Sequence, residues 1–287
     1  MLSIQLGFKA FDIHELLCHF MASKAGLYEQ AGLQVELIDI TFMADADLPP
    51  HTFQVSCGSA LISALKGIPQ RIIFVATEKP MFWIYSNRKI KDLPDLRNKK
   101  VASYPDIAPP CHLAKIILKQ AGLDPTHDVI FTPARDDVAR LGLLKCGAVD
   151  AAMISSAILP PKVKQRAFST LCFFGDKIKL PTTGLAVHRS QLEREPESAR
   201  TLVSVLKESL NLIHNNPVLL GNVLQDFFDI GSEIQKVSSD LIRACFTRDG
   251  QITGLTARGA VDLMGDILNV TPAQDWNQIY GFSLSGD

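Results

Sequence analysis

The chain has 287 residues, with 29 Lys and Arg against 30 Asp and Glu, and a formal net charge of −1. Hydrophobic residues make up 47% of the sequence and charged residues 21%, which predicts a globular chain large enough for two cores. The sequence has no long basic run, which argues against nucleic acid as a partner, and no apolar run long enough to span a membrane.

Short apolar or alternating runs predict strands throughout the first two thirds of the chain. In chain order they cover residues 3–8, 35–40, 53–55, 71–76, 82–85, 99–102, 129–132, 151–154, 171–174 and 185–188. Strands that alternate with helices are typical of α/β proteins. The sequence therefore predicts an α/β fold.

Apolar residues at helical spacing predict helices between these strands and over most of the C-terminal part. They cover residues 15–26, 60–66, 109–121, 136–146, 195–213, 217–228, 232–246 and 258–268. Ser59 is the expected N-cap of the second of these helices, and Pro109 and Pro110 suit the first turn of the third. In the helix 136–146, Val138, Leu141 and Leu144 are expected to share one buried face.

The tetrapeptide Gln-Ala-Gly-Leu occurs twice, at residues 30–33 and 120–123. Each copy closes a helix and leads to a strand, and each helix follows a strand and a polar loop. The same β-loop-α-β unit is therefore expected twice, at a separation too large for a solenoid. Two similar α/β lobes fit this pattern, with a ligand bound by the loops that follow the strands.

The loops after the strands are rich in hydroxyls and backbone donors and poor in paired carboxylates. This composition favours a small polar or anionic ligand over acid–base catalysis, so no catalytic residue is predicted. The candidate ligand-binding residues are Lys9, His14, Cys57, Gly58, Ser59, Ser103, Tyr104, Asp106, Ser155, Ser156, Thr182 and Thr183.

Several candidates have a second interpretation. His14 either faces the ligand or is an ordinary residue of a first helical turn. Cys57 is either a nucleophile or a pocket-lining or structural thiol, and the second interpretation is favoured because no neighbouring residue supplies a base. Lys9 is expected to face solvent unless an anion is bound, and Ser155 and Ser156 could serve only as caps.

The six cysteines are dispersed, without a Cys-x-x-Cys pair. Neither a zinc site nor a disulfide framework is predicted, and no cofactor or metal is expected. Six unpaired thiols slightly favour a reducing compartment. No basic-then-apolar leader begins the sequence, so the protein is expected to be periplasmic if a leader has been removed and cytoplasmic otherwise.

The chain resembles the sulfonate/nitrate/taurine-type solute-binding proteins of ABC transporters, a family that includes proteins similar to the yeast thiamin pyrimidine synthase. The segments that carry the resemblance are 25–36, 64–69, 78–83, 90–101, 120–125 and 144–152. The resemblance implies a two-lobe fold of the type II periplasmic binding protein class with a helical C-terminal part. Lobe 1 would comprise residues 1–86 and 185–287, and lobe 2 residues 87–184.

The resemblance also implies hinge strands at 82–85 and 185–188, and a ligand site at the loops named above, extended to Phe11. Two features depart from the family: the segment 41–51 is short and carries Pro49-Pro50, and the leader of an exported binder is missing. Two signatures of relatives similar to the pyrimidine synthase are also missing. Residues 179–184 replace their Cys-rich run, and residues 55–57 stand where they have the lysine that binds pyridoxal phosphate.

We therefore expect a substrate-binding component of an ABC importer, whose lobes close on a small organic, possibly anionic, molecule without chemistry. The expected partners are that ligand and, if the protein is exported, an ABC permease. The chain is expected to be a monomer. The alternatives are a leaderless enzyme on the same fold acting on an aromatic or pyrimidine-like substrate, and a cytoplasmic ligand sensor.

Overall fold

The computed structural model of the chain describes residues 1–164, 168–272 and 274–282. The chain divides into two compact units. Unit 1 comprises residues 1–78 and 179–287, and unit 2 comprises residues 79–178. Each unit contains one five-stranded sheet, which confirms the predicted α/β class.

Strands and helices alternate up to about residue 188, and helices follow. The strands are β1 Leu2–Phe8, β2 Leu33–Asp39, β3 Thr52–Gln54, β4 Gln70–Thr77, β5 Trp83–Ser86, β6 Lys99–Ser103, β7 Val129–Pro133, β8 Ala151–Ile154, β9 Ser169–Phe173 and β10 Thr183–His188. The helices are α1 Ile13–Lys24, α2 Leu27–Gln30, α3 Cys57–Leu65, α4 Pro109–Gln120, α5 Asp137–Lys145, α6 Pro160–Lys164, α7 Arg189–Arg194, α8 Pro196–Asn215, α9 Pro217–Phe228, α10 Ser232–Arg243, α11 Gly254–Leu268 and α12 Trp276–Ile279. The predicted helical C-terminal part is confirmed.

The sheet of unit 1 has the strand order β2-β1-β3-β10-β4. Strand β1 is parallel to β2 and β3, while β10 is antiparallel to β3 and β4. Helix α1 buries Leu16, Leu17 and Met21 and packs against α8 and α9. The carboxyl ends of β1 and β3 lead directly into the loops that begin α1 and α3, which places two sets of predicted site residues at one edge of the sheet.

The sheet of unit 2 has the order β7-β6-β8-β5-β9. Strand β6 is parallel to β7 and β8, and β5 is antiparallel to β8 and β9. The repeated unit predicted from the sequence is present in both sheets, as β1 with β2 and as β6 with β7. After each Gln-Ala the glycine has a positive φ, 69° at Gly32 and 79° at Gly122, the conformation that ends a helix.

The division between the units differs from the expected lobe boundaries at 86/87 and 184/185. The sequence places β5 in lobe 1, yet Trp83 pairs with Ile154 on one side and with Phe173 on the other, so β5 belongs to the sheet of unit 2. The Thr182 carbonyl accepts the Gly58 N–H at 2.9 Å, which ties the segment before β10 to unit 1. The hinge role of β5 and β10 stays a prediction.

Two local predictions are wrong. Helix α3 begins at Cys57 rather than at residue 60, so Ser59 lies in its first turn and is not its N-cap. In α5, Val138 is 76% exposed, whereas Arg140 is buried together with Leu141 and Leu144. The guanidinium of Arg140 lies on the buried face of α5 because hydrogen-bond acceptors surround it there.

Candidate functional site

In unit 1, His14 lies at the centre of a group of three threonines, which we call the His14 cluster (His14, Thr77, Thr182 and Thr183). The His14 Nε2 atom lies 2.8 Å from the Oγ1 of Thr77 and 2.8 Å from the Oγ1 of Thr182. Thr77 Oγ1 is in turn 2.8 Å from Thr183 Oγ1. The first turn of α1, the end of β4 and the start of β10 thus meet through hydroxyls and one imidazole.

The His14 imidazole is buried and uncharged at neutral pH. Only 2% of His14 is exposed, and burial lowers its pKa from 6.5 to about 3. A neutral imidazole can donate a hydrogen bond to a hydroxyl or accept one from it, but an imidazole with so low a pKa is a weak base. This arrangement suits positioning of the threonine hydroxyls better than proton transfer.

Beside His14, Glu15 organises the loop that begins α1, in a group we call the Glu15 cluster (Lys9, Asp12, Glu15 and Asp45). The Glu15 Oε2 atom accepts the backbone N–H of Lys9 at 2.7 Å and that of Ala10 at 3.0 Å. Asp12 caps the helix, because its Oδ1 accepts the Glu15 N–H at 2.9 Å. Burial raises the pKa of Glu15, and these hydrogen bonds, one from Ser56 and the charge of Lys9 oppose the rise.

Lys9 belongs to the same cluster and is ion-paired. Its Nζ lies 2.5 Å from Asp45 Oδ1, and the Asp45 side chain is only 3% exposed. The second oxygen of Asp45 accepts the Ser63 hydroxyl at 2.7 Å. The expectation of a solvent-exposed Lys9 is therefore wrong, and Asp45 fixes part of the proline-bearing segment 41–51 to unit 1.

The start of α3 contributes Cys57, Gly58 and Ser59, but its backbone donors are largely occupied. Cys57 N–H bonds to the Val55 carbonyl at 3.1 Å, and Gly58 N–H to the Thr182 carbonyl at 2.9 Å. The Cys57 thiol is fully buried, and burial raises its pKa, with the charge of Glu15 adding to the rise. Cys57 is therefore a protonated thiol at neutral pH, and its role as a pocket-lining or structural residue stays a prediction.

Phe11 is the most exposed of the predicted site residues in unit 1. Its ring is part of an aromatic group with Phe8, Phe20 and Phe228, at centroid distances of 6.1, 5.7 and 6.2 Å. More than half of Phe11 is exposed, at 55%. It lies in the α1 loop between Lys9 and His14 and offers an apolar surface rather than a hydrogen bond.

In unit 2, two predicted residues meet around a buried ion pair that we call the Arg140 cluster (Arg140, Asp137, Tyr104 and Ser155). Arg140 donates to the Asp137 carboxylate at 2.6 Å, to the Met153 carbonyl at 2.7 Å and to the Ala134 carbonyl at 2.9 Å. Its guanidinium carbon lies 3.7 Å from the centre of the Tyr104 ring. Asp137 also accepts the Ser155 hydroxyl at 2.6 Å and the Ser155 N–H at 2.9 Å.

The other predicted residues of unit 2 differ in exposure. Ser103 ends β6 fully buried, and its hydroxyl has no hydrogen-bond partner within residues 1–164, 168–272 and 274–282. Ser156 is fully buried as well. Asp106 is exposed and pairs with Lys115 at 3.0 Å, so it stands apart from the Arg140 cluster.

The structure thus brings His14, Thr182 and Thr183 together in unit 1, and Tyr104 and Ser155 together in unit 2. Sequence reasoning missed the charged residues that organise these groups, which are Glu15, Asp45, Asp137 and Arg140. The spacing Asp12-x-x-Glu15 is a capping signature that could have identified Glu15. Asp45 gives no such signal, because it lies 36 residues from Lys9.

Within the described ranges, no group of three or more His, Cys, Asp or Glu side chains is placed to hold a metal ion. No helix among those residues is both long enough and apolar enough to cross a membrane. The charged groups that the clusters do contain are paired with one another or with backbone groups.

The two-unit α/β fold is that of the periplasmic binding proteins. A protein from Bordetella bronchiseptica RB50 has 16% identity to this chain and a TM-score of 0.80, covering 99% of this chain and 96% of its own. The periplasmic aliphatic sulphonate binding protein SsuA of Escherichia coli has 16% identity and a TM-score of 0.76, covering 97% of each chain. The desulfurization enzyme DszB has 12% identity and a TM-score of 0.71, covering 98% and 97%.

The NMT1/THI5-like family profile matches residues 15–219, which is more than half of the chain. The chain belongs to this family, as the sequence segments indicated. None of the curated proteins matches the sequence. Because the solved structures share so little identity with this chain, their similarity establishes the fold and not the ligand.

Proposed function

We propose that this chain is the substrate-binding component of an ABC importer, which binds a small organic molecule and releases it unchanged. The proposal is supported by family membership and by a fold shared over nearly the whole chain with binding proteins such as SsuA. The His14 cluster of unit 1 and the Arg140 cluster of unit 2 are each proposed to offer hydrogen-bonding groups to a ligand. In this role the partner is a membrane permease and the compartment is the periplasm.

The observation that carries the proposal is the hydroxyl of Ser103. It is fully buried at the end of a parallel strand, the usual position of ligand groups in open α/β sheets, without a partner among the described residues. An unsatisfied buried hydroxyl costs about 1–3 kcal/mol, so a bound group that restores its hydrogen bond is one explanation for it. A ligand atom that bonded to Ser103 would recover part of that free energy.

An enzyme on the same fold is the second candidate, because the similar structure DszB is a desulfurization enzyme. The residues that would perform chemistry argue against it. Burial raises the pKa of the Cys57 thiol, and the pKa of His14 is lowered to about 3. A protonated thiol is a poor nucleophile and so weakly basic an imidazole is a poor general base, so the cluster favours binding.

The test is a thermal-shift screen of the full chain with sulfonates, nitrate, bicarbonate, pyrimidines and aromatic carboxylates. A ligand present at about 100 times its dissociation constant should stabilise the protein by about 2.7 kcal/mol. Thr182→Val, which removes a hydroxyl that contacts His14, should weaken the best ligand at least tenfold. The exposed Thr170→Val is the matched control and should leave affinity unchanged. Equal affinity in both variants and the wild type would contradict the proposed site.

A further inference from the structure

Two arginines of unit 1 lie at the opposite end of β4 and β10 from the His14 cluster. Arg71 is the second residue of β4, and Arg189 directly follows β10, its antiparallel neighbour. Arg71 pairs with Val187 in the sheet, and the Arg189 N–H donates to the Pro69 carbonyl at 2.8 Å. The pairing of the two strands thus places both arginines outside the candidate ligand site.

Both guanidinium groups bond to the C-terminal segment around α12, and their acceptors there are uncharged. Arg71 donates to the Asn277 carbonyl at 3.4 Å. Arg189 donates to the Gln278 carbonyl at 2.7 Å and to the side-chain oxygen of Gln274 at 2.5 Å. Because Asn277 and Gln278 are consecutive residues of α12, the two guanidinium groups converge on one turn of this helix.

Neither arginine is balanced by a carboxylate among the described residues. Their hydrogen bonds end on carbonyls and an amide, and the acid of the same segment, Asp275, is exposed and forms no ion pair with them. Burial and the charge of Arg189 both lower the pKa of Arg71, as expected for neighbouring cations. The pair therefore has two positive charges and only neutral acceptors in the part of the chain that the structure describes.

The pair also has N–H donors that these bonds do not use. Each guanidinium has five N–H donors, and the bonds to the C-terminal segment come from the Nη2 atom alone in both arginines. The Nε of Arg189 is fully buried and has no hydrogen-bond partner within residues 1–164, 168–272 and 274–282. A buried donor of a charged group is costly to leave unpaired, and an acceptor with negative charge would satisfy it best.

We propose that Arg71 and Arg189 form a binding site for a small doubly charged oxyanion of the phosphate class, held between β4, β10 and the C-terminal segment. A guanidinium presents parallel N–H groups that match two oxygens of a phosphate group. A phosphate group carries close to two negative charges at neutral pH, which would balance the two cations. This site is separate from the candidate ligand site, so the inference goes beyond the proposed function and does not depend on it.

The test is calorimetric titration of the full chain with sodium phosphate at about pH 7.5, with sodium chloride added to hold the ionic strength constant. Constant ionic strength keeps the general screening of charges the same throughout. We expect one saturable phosphate site per chain, and at least about tenfold weaker binding of acetate, which has a single charge. Absence of saturable binding, or acetate that binds as tightly as phosphate, overturns the inference.

The variants Arg71→Gln and Arg189→Gln each remove one of the two charges. We expect each to weaken phosphate binding at least about tenfold, because a charge-assisted hydrogen bond is lost. Arg200→Gln is the matched control: it changes the net charge equally at an exposed arginine of α8 that pairs with Glu197, and it should leave phosphate affinity unchanged. Equal affinity in the wild type and both test variants would show that phosphate binds elsewhere, and the inference would fail.

Hydrogen exchange of the wild-type chain locates the site without any substitution, so the inference remains testable if a variant does not fold. We expect saturating phosphate to slow amide exchange at the start of β4 and in residues 274–282. This segment includes the Gly281 N–H, which donates to the Ile72 carbonyl at 2.9 Å. The loop that begins α1 is the internal control and should exchange at an unchanged rate. Slowing in that loop without slowing in residues 274–282 would contradict the site.

Discussion

The clearest consequence at the level of single residues concerns Ser103. Because its buried hydroxyl has no partner among the described residues, Ser103→Ala should leave the free energy of unfolding unchanged or raise it by up to about 1 kcal/mol. The same substitution should weaken the ligand by at least tenfold, since it removes a proposed contact. Urea denaturation without ligand and calorimetric titration with ligand measure the two effects separately.

The control for Ser103 is Ser86, which is also fully buried in the sheet of unit 2. Its hydroxyl donates to the Ile90 carbonyl at 3.3 Å, so Ser86→Ala should cost about 0.5–1.5 kcal/mol and leave the affinity unchanged. If Ser103→Ala destabilises the protein more than Ser86→Ala, then the hydroxyl has a structural role, and the argument from its unsatisfied state is wrong.

His14 predicts a pH dependence of stability. Its pKa is about 3 in the folded chain and about 6.5 when unfolded, so the unfolded state binds more protons between these values. Stability attributable to His14 is therefore present above about pH 6.5 and is lost as the pH falls. At about pH 5 the loss should be about 2 kcal/mol, and His14→Gln should remove it.

The measurement is the free energy of unfolding at about pH 7.5 and about pH 5, compared between variants. The pKa of His19 is also lowered, to about 4, and that of Glu15 is raised, but both contributions cancel in the comparison. His51→Gln, at an exposed position, should keep the wild-type slope. A His14→Gln slope equal to that of the wild type would show that His14 can be protonated in the folded chain.

The sequence predicted which residue types lie at the site, but not which of those residues bond to one another. The hydroxyls after the strands were visible as Ser103, Ser155, Thr182 and Thr183, and the structure brings some of them together. The acids that pair with Lys9 and Arg140 were not visible as partners. Ion pairs depend on distances in space, and Asp45 is far from Lys9 along the chain.

At the level of elements, helix α5 gives the sharpest test of packing. Leu141 is 2% exposed, so Leu141→Ala should cost about 2–5 kcal/mol through lost burial and the cavity that remains. Val138 was predicted to share its face but is 76% exposed, so Val138→Ala should change stability by less than about 0.5 kcal/mol. Thermal or urea unfolding of the two variants measures both changes in stability. A large loss of stability for Val138→Ala would show that Val138 packs on the buried face of α5, as the sequence predicted.

The reason that α5 departed from its apolar pattern is physical. Residues 137, 140, 141 and 144 recur at helical spacing, and two of them are charged. A search for apolar residues at helical spacing does not identify a buried arginine. Arg140 is stable in the interior because all of its nitrogens donate to carbonyls or to a carboxylate. Breaking such a pair leaves an uncompensated buried charge, which is why the pair is retained despite its cost in desolvation.

At the scale of the whole molecule, the fold followed from two signals in the sequence. The repeated Gln-Ala-Gly-Leu units and the order of the family segments both predicted two α/β units, and each sheet contains the repeated unit. The boundaries between the two units were harder to predict from the sequence. Whether β5 joins the first or the second sheet depends on which strands accept its hydrogen bonds, and a strand of four residues carries no sign of that choice.

The chemical class of the ligand also could not be predicted from the sequence alone. Composition suggested a polar or anionic ligand, and the fold neighbours include sulphonate-binding proteins. The structure adds that Lys9 is paired with Asp45, which removes one of the free charges that composition offered to an anion. Because fold does not determine function, such local charges decide between proteins that share an architecture.

We propose above that the chain binds a small molecule without changing it. The most direct test is calorimetric titration of the full chain with the best compound from the screen, followed by mass spectrometry of the compound recovered after prolonged incubation with the protein. We expect saturable binding at one site and quantitative recovery of the unaltered compound. Catalytic amounts of protein that convert the compound to a product would contradict it and would establish the enzyme instead.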